Sequence, residues 1–205
     1  MILVHHLRIG RSVFTVWLLE ELGLDYELKI YERDRNFRAQ ADLKEAHPLG
    51  KSPVIEDGGL KLAESGAIAT YLVDTYDKDG LLAPPRSDVA ARAQWTQWLH
   101  YTEGSAFAPL LMKLLLRGEQ EPHPLLIGAF ANGEVALQLG YIQDFLGDKT
   151  FLLGEQLQAP DFGMTYILQL ANRLGELQPH PLLNAYLERN LTRPAFKRAM
   201  ERTGG

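Results

Sequence analysis

Four apolar residues, Met1 to Val4, open the chain as a partly β-branched run of the kind that forms a buried strand. Over Ser12 to Leu22 the apolar residues Phe14, Trp17, Leu18 and Leu22 recur at helical spacing, and Gly23 stands where a helix stops. From Tyr26 to Tyr31 the period drops to two. Tyr26, Leu28 and Ile30 alternate with Glu27, Lys29 and Tyr31, which predicts a second strand with one buried face. A strand, a helix and a strand in this order form a crossover unit joining parallel strands. Residues 32 to 50 are polar and basic, with room for a short helix over Ala39 to Ala46, and end in His47-Pro48-Leu49-Gly50. The apolar runs at 53–56 and 60–62 flank Asp57-Gly58-Gly59, a strong hairpin signal. Ile68, Tyr71, Leu72 and Tyr76 then share one helical face, so a helix runs from Ser65 to the turn at 77–80.

From Leu81 onward no period of two returns. Ala83-Pro84-Pro85-Arg86-Ser87-Asp88 reads as a linker leading into an N-cap at Ser87 or Asp88. Val89 to Arg117 carries Ala91, Trp95, Trp98, Leu99 and Thr102 at three- and four-residue intervals, then Leu110, Leu114 and Leu115. This predicts one long helix bent at Pro109 and ended by Pro122 and Pro124, with both tryptophans in the core. Further helices are expected over Ile127 to Leu146, Asp161 to Leu174, Pro181 to Arg189 and Pro194 to Arg202. The organisation is a βαβαββα domain over 1–76, a linker over 77–88 and an all-helical domain over 89–205.

Length and composition narrow the function classes. The 205 residues suffice for one large domain or two small ones, and 46% apolar with 23% charged residues fits an ordinary soluble protein. The net charge of −5 is spread over both halves, with no basic footprint for nucleic acid. Zero cysteines exclude disulfides, thiolate metal sites, cysteine nucleophiles and CxxC redox chemistry, so any sulfur chemistry uses a thiol brought by a ligand. The opening apolar run is too short for a signal peptide or a membrane span, which gives the expectation of a cytoplasmic protein without a membrane partner. His5 and His6 point to opposite faces of the first strand, and no spacing of histidines and carboxylates suggests a metal.

Three segments, in this order within this arrangement, carry a resemblance. They are Trp17-Leu18-Leu19-Glu20-Glu21-Leu22-Gly23, Gly50-Lys51-Ser52-Pro53-Val54-Ile55 and Ala63-Glu64-Ser65-Gly66-Ala67-Ile68. With them the chain resembles the cytosolic glutathione transferase family over essentially its whole length. The resemblance implies an α/β thioredoxin-like N-terminal domain followed by an all-α domain. It also implies that Pro53 is cis and that the main chain of Val54 pairs with the cysteinyl part of glutathione, as an added strand would. Glu64 would meet the γ-glutamyl ammonium. Ser65, with free helix N–H groups, would meet the adjoining carboxylate, and Lys51 the glycyl carboxylate. Without the resemblance, Pro53 is an ordinary strand-start proline, Ser65 a helix cap and Lys51 a solvated charge. Tyr101 and Glu103 lie where the family's long helix borders the electrophile pocket, and His6 could edge the site. Asp161 resembles the family's helix-capping Asp, but Gln158 stands where Ser or Thr is usual, so that capping box is degraded.

Transferases of this family carry a Tyr, Ser or Cys after the first strand, whose side chain donates to the glutathione sulfur. Here Ile9 occupies the commonest Ser or Thr position, Arg11 that of the Cys variants, and Gly10 the first Ser of a Ser-Arg-Ser segment found in some bacterial and fungal members. Ser12 is the remaining hydroxyl and is assigned as catalytic. Arg11, by charge, and main-chain N–H groups are the other candidates, and a plain N-cap is the alternative role for Ser12. The resemblance implies an enzyme that conjugates glutathione to small hydrophobic electrophiles, uses no prosthetic group, and forms a homodimer. A non-catalytic glutathione- or protein-binding module, and a glutathione-dependent peroxidase or disulfide reductase, are the alternatives.

Overall fold

The computed structural model describes residues 1–119 and 125–204. Its sheet has the order β2-β1-β3-β4. The central strand β1 (Ile2–Leu7) runs parallel to β2 (Tyr26–Tyr31) and antiparallel to β3 (Val54–Asp57), which pairs antiparallel with β4 (Leu60–Ala63). The crossover helix is α1 (Ser12–Glu21), and α2 (Leu43–Ala46) and α3 (Ser65–Tyr76) complete the predicted βαβαββα order.

β1 continues three residues beyond the apolar run, because both histidines find buried partners. His5 lies between the Tyr31 hydroxyl at 2.7 Å and Glu56 at 3.1 Å, and His6 faces the opposite way. α2 is shorter than expected. Ala39 forms a bridge with Arg33 instead of starting the helix, while its side chain packs on Leu7, Tyr31, Leu43 and Ala46.

The helical half contains α4 (Val89–Tyr101), α5 (Phe107–Leu116), α6 (Leu125–Leu146), α7 (Ala159–Leu174), α8 (Pro181–Leu191) and α9 (Pro194–Thr203). Asp88 caps α4 through the Ala91 amide at 3.0 Å. Trp95 and Trp98 are buried, and the Trp95 indole donates to the Leu82 carbonyl at 3.0 Å. The predicted single helix over 89–117 is interrupted at Thr102–Ala106 by a π turn, and Pro109 lies within α5. Pro109 has no N–H to give the ladder, and the widened turn lies directly upstream of it. The break assigned to Pro122 and Pro124 lies outside the described residues. At the start of α7 the Gln158 N–H donates to Asp161 Oδ2 at 2.8 Å, and the Asp161 N–H closes on the Gln158 main-chain carbonyl at 2.9 Å. Asp161 also accepts from the Leu152 amide and the Tyr186 hydroxyl, both in the core.

The chain gathers into two compact units, Met1–Gly80 with Leu191–Gly205, and Leu81–Asn190. α9 thus groups with the sheet, where the sequence reading placed it with the helices. Phe196 meets Trp17 edge-on at 5.2 Å, while Arg193 and Arg198 pair with Glu21 and Glu20 of α1.

Candidate active site

The loop between β1 and α1 is held by tight contacts. Gly10 is packed so closely that a Cβ there would come within 2.6 Å of the Leu7 carbonyl oxygen. Ile9, just before it, has φ 55° and is 64% exposed. Arg11 is the N-cap of α1 and is itself helical in conformation, so Ser12 is already the first helical residue. Its side chain turns inward, is 0% exposed, and lies 2.8 Å from His6 Nδ1. The Ser12 hydroxyl, assigned as catalytic from the sequence, is thus enclosed against His6, and Ser12 does not cap α1. Burial, together with the Arg8 charge, lowers the His6 pKa to about 4 and keeps the ring neutral; the nearby Thr203 carbonyl favours the charged form but does not offset them.

The second wall is the segment before β3. The Ser52–Pro53 peptide is cis. Val54 is buried with a ladder neighbour on each side, His5 in β1 and Ala63 in β4, so its main chain belongs to the sheet. The expectation that Val54 pairs with a ligand is corrected for that reason. Ser52, on the outer side of Pro53, is the residue with free main-chain groups. Its hydroxyl donates to the His5 carbonyl at 2.7 Å and accepts from the Leu7 amide at 3.2 Å, while its own N–H and C=O have no partner among the described residues. The sequence pointed to the proline and missed its neighbour, because only the pairing register tells which residue is already spoken for.

Lys51 is exposed with no side-chain partner among the described residues. The stem of Lys44 in α2 lies against Gly50, where an added Cβ would stand 3.0 Å from its Cγ, so a second lysine borders the Lys51 loop. Glu64 heads α3 with φ 74° and ψ 119°, its carboxylate exposed and without a partner among the described residues. Such a backbone angle at a non-glycine residue is strained and is held by its surroundings. Ser65 follows it, half-buried, as the first residue of the helix.

In the helical unit Tyr101 is half-buried. Its hydroxyl donates to Gln138 Oε1, its ring meets Trp98 at 4.9 Å and Tyr141 at 5.5 Å, and burial raises its phenol well above the usual range. Glu103 is half-buried in the π turn.

Residues 1–74 match the family model described as glutathione S-transferase, N-terminal domain. Glutathione S-transferase 1 of Saccharomyces cerevisiae is 30% identical over 98% of this chain and 95% of its own length. Glutathione S-transferase 3 of Schizosaccharomyces pombe is 32% identical over 98% and 88%. The chain belongs to the glutathione S-transferase family. The crystal structure of a glutathione S-transferase from Actinobacillus pleuropneumoniae superposes with a TM-score of 0.90 at 37% identity, covering 100% of this chain and 94% of that one. A glutathione transferase homologue from Lodderomyces elongisporus, solved with two glutathione molecules per subunit, shares the fold with a TM-score of 0.83 at 24% identity.

For a glutathione S-transferase this chain departs from the pattern at Ile9 and Gly10, and the packing accounts for the second. A serine at position 10 would drive its Cβ into the Leu7 carbonyl. Ser12, the hydroxyl left over, is engaged with His6 instead, a pairing across six residues that becomes visible only once β1 and α1 are folded together.

Proposed function

We propose that this transferase holds glutathione along the Ser52, Glu64 and α1 edge of its first unit and conjugates the thiolate to small hydrophobic electrophiles. The carrying observation is the charge pattern left unpartnered there. The Glu64 carboxylate suits the γ-glutamyl ammonium, the leading N–H groups of α3 with Ser65 suit the neighbouring carboxylate, and the Lys51 ammonium suits the glycyl carboxylate. Between them the free N–H and C=O of Ser52 pair with the cysteinyl residue as one rung of an added strand. The sulfur then lies toward the head of α1. There the positive end of α1 stabilises a thiolate, and Arg11 adds its charge. The thiol proton leaves to solvent, the sulfur lone pair forms a bond to the electrophilic carbon, and the leaving group departs with the bonding electrons. Such chemistry fits detoxification in the cytoplasm, where glutathione maintains the reduced thiol pool.

The test is the ultraviolet thiolate band of bound glutathione against pH. A free thiol near ~8.5 is only about 3% ionised at pH 7, and a downward shift of about two units makes most of it thiolate. Ser12→Ala removes only an enclosed hydroxyl and is expected to leave the midpoint in place, while Arg11→Ala raises it. An ordinary free-thiol midpoint in the wild type would favour the binding-module reading, which the enclosed Ser12 hydroxyl independently supports.

The same reading makes the protein a homodimer. α6 buries Ala131, Val135, Leu139, Ile142 and Leu146 and leaves Leu126, Phe130, Leu137 and Tyr141 exposed, an apolar outer face suited to a second copy. Light scattering should give twice the chain mass, and Leu137→Glu should give the monomer. A monomeric wild type would refute the assembly.

A further inference from the structure

Ile9 stands between β1 and α1 with φ 55°, a left-handed angle that is a genuine outlier for a β-branched residue. Its side chain is exposed and carries no hydrogen-bonding group, so whatever holds this angle acts on the main chain. One neighbouring side chain does so. The Arg33 guanidinium donates from Nε to the Arg8 carbonyl at 2.8 Å and from Nη2 to the Ile9 carbonyl at 3.0 Å. These carbonyls belong to the two peptide planes that flank the Ile9 Cα, and pinning both planes fixes φ and ψ between them. The fork lies along the next residue as well, since a Cβ on Gly10 would stand 3.6 Å from Arg33 Nη2. Its remaining arm, Nη1, donates to the Phe37 carbonyl at 2.6 Å, in a segment closed on itself. There Asp34 Oδ1 accepts from the amides of Asn36 at 2.8 Å and Arg38 at 2.9 Å, and the Phe37 amide donates to the Asp34 carbonyl at 3.0 Å. Arg8, the adjacent cation, turns to other partners, pairing with Glu32 at 2.5 Å and reaching the Thr203 carbonyl at 3.4 Å. Three bonds from one planar fork thus set a single strained turn, and that turn delivers the chain into Arg11 and the head of α1.

We propose that Arg33 is a positioning residue for the thiol chemistry: by locking the left-handed turn at Ile9 it aims the head of α1 and the Arg11 charge at the glutathione sulfur. The proposal rests on the reading that places the sulfur there. Arg33 acts through the main chain of residues 8–10. Strained backbone persists only where its surroundings over-determine it, so without the fork Ile9 relaxes toward negative φ and the turn opens. The influence of a helix end falls off within one turn, and a displaced α1 head therefore stabilises the thiolate less. Fork geometry carries this role, and an ammonium does not replace it.

The test reads the ultraviolet thiolate band of bound glutathione against pH. Arg33→Lys keeps the charge but cannot bridge three carbonyls, and it is expected to raise the midpoint by about one pH unit. Arg33→Met, which also drops the charge, should raise it equally. S-methylglutathione has no thiol to ionise, and calorimetry should find it bound by both variants within about twofold of the wild type. A merely structural role would not move the midpoint while leaving that affinity intact. Ile9→Gly accepts the left-handed backbone without a clamp, so Arg33→Lys in that background should raise the midpoint less. A wild-type midpoint in Arg33→Lys, an undiminished rise in the Ile9→Gly background, or a loss of S-methylglutathione affinity that parallels the rise overturns the positioning role, and a lowered midpoint in the wild type then leaves the underlying site standing. An ordinary free-thiol midpoint in the wild type overturns that site and the role of Arg33 with it.

Discussion

At Glu64 the sequence and the backbone pull in different directions, and the conflict separates binding from stability. A non-glycine residue at φ 74° is held against its preference, at a cost of about 1–3 kcal/mol. Glu64→Gln removes the charge and keeps the strain, whereas Glu64→Gly removes both. Each is expected to lose about 2 kcal/mol of glutathione affinity by calorimetry, because the ligand ammonium loses its counter-charge. Glu64→Gly should also unfold at higher urea, by up to about 1 kcal/mol after its greater unfolded-state entropy is deducted. Unaltered glutathione affinity in Glu64→Gln would remove the carboxylate from the site. Gly10 is the opposite case, since its role is steric. Gly10→Ser, which restores the residue type of some relatives, should destabilise the fold by about 1–3 kcal/mol and leave the thiol midpoint unchanged. Both positions were visible as motif residues, but the reasons they matter, a dihedral angle and a 2.6 Å approach, are properties of the folded backbone.

At the scale of elements, hydrophobic periodicity located the strands and most of the helices, because each element writes its own period on the chain. It did not tell which partner an element finds. α9 shows Ala195, Phe196 and Ala199 on one buried face, a pattern equally suited to helices or to the sheet's covering layer. Its place against α1 depends on the pairing of Arg193 and Arg198 with Glu21 and Glu20, some 170 residues apart. The π turn was hidden for a related reason. Its Thr102 hydroxyl donates to the Trp98 carbonyl at 2.8 Å, while its methyl faces Gly163 of α7, where an added Cβ would stand 2.9 Å away. Gly163→Ala should therefore destabilise by about 1–3 kcal/mol. Thr102→Ser, which keeps the hydroxyl and removes the methyl, should recover most of that in the double variant. Strict additivity in the urea midpoints would show that the two residues do not meet.

For the whole first unit, His6 couples the central strand to α1 and to the end of α9. It is 2% exposed in β1, with Ser12 of α1 at 2.8 Å and the Thr203 carbonyl at the end of α9 nearby. Burial lowers its pKa from 6.5 to about 4, so between those values the unfolded chain binds a proton that the native chain refuses. Stability then rises with pH, is fully present above 6.5 and is lost as the pH falls toward 4. The full difference amounts to about 3 kcal/mol, and solvent screening with the step to pH 5 brings the expected loss to about 2 kcal/mol. His5, also buried and lowered, acts with the same sign. Glu20, where burial is overcome by its bonds to Arg198 and Tyr26, lies below the ordinary carboxylate range and acts beneath this window. Urea unfolding at pH 7 and pH 5 separates the contributions. His6→Gln is expected to be less stable at pH 7, since it disturbs the contact with Ser12, yet to lose about 2 kcal/mol less than the wild type on going to pH 5. An identical loss in both proteins would mean that the acid sensitivity of the unit resides elsewhere.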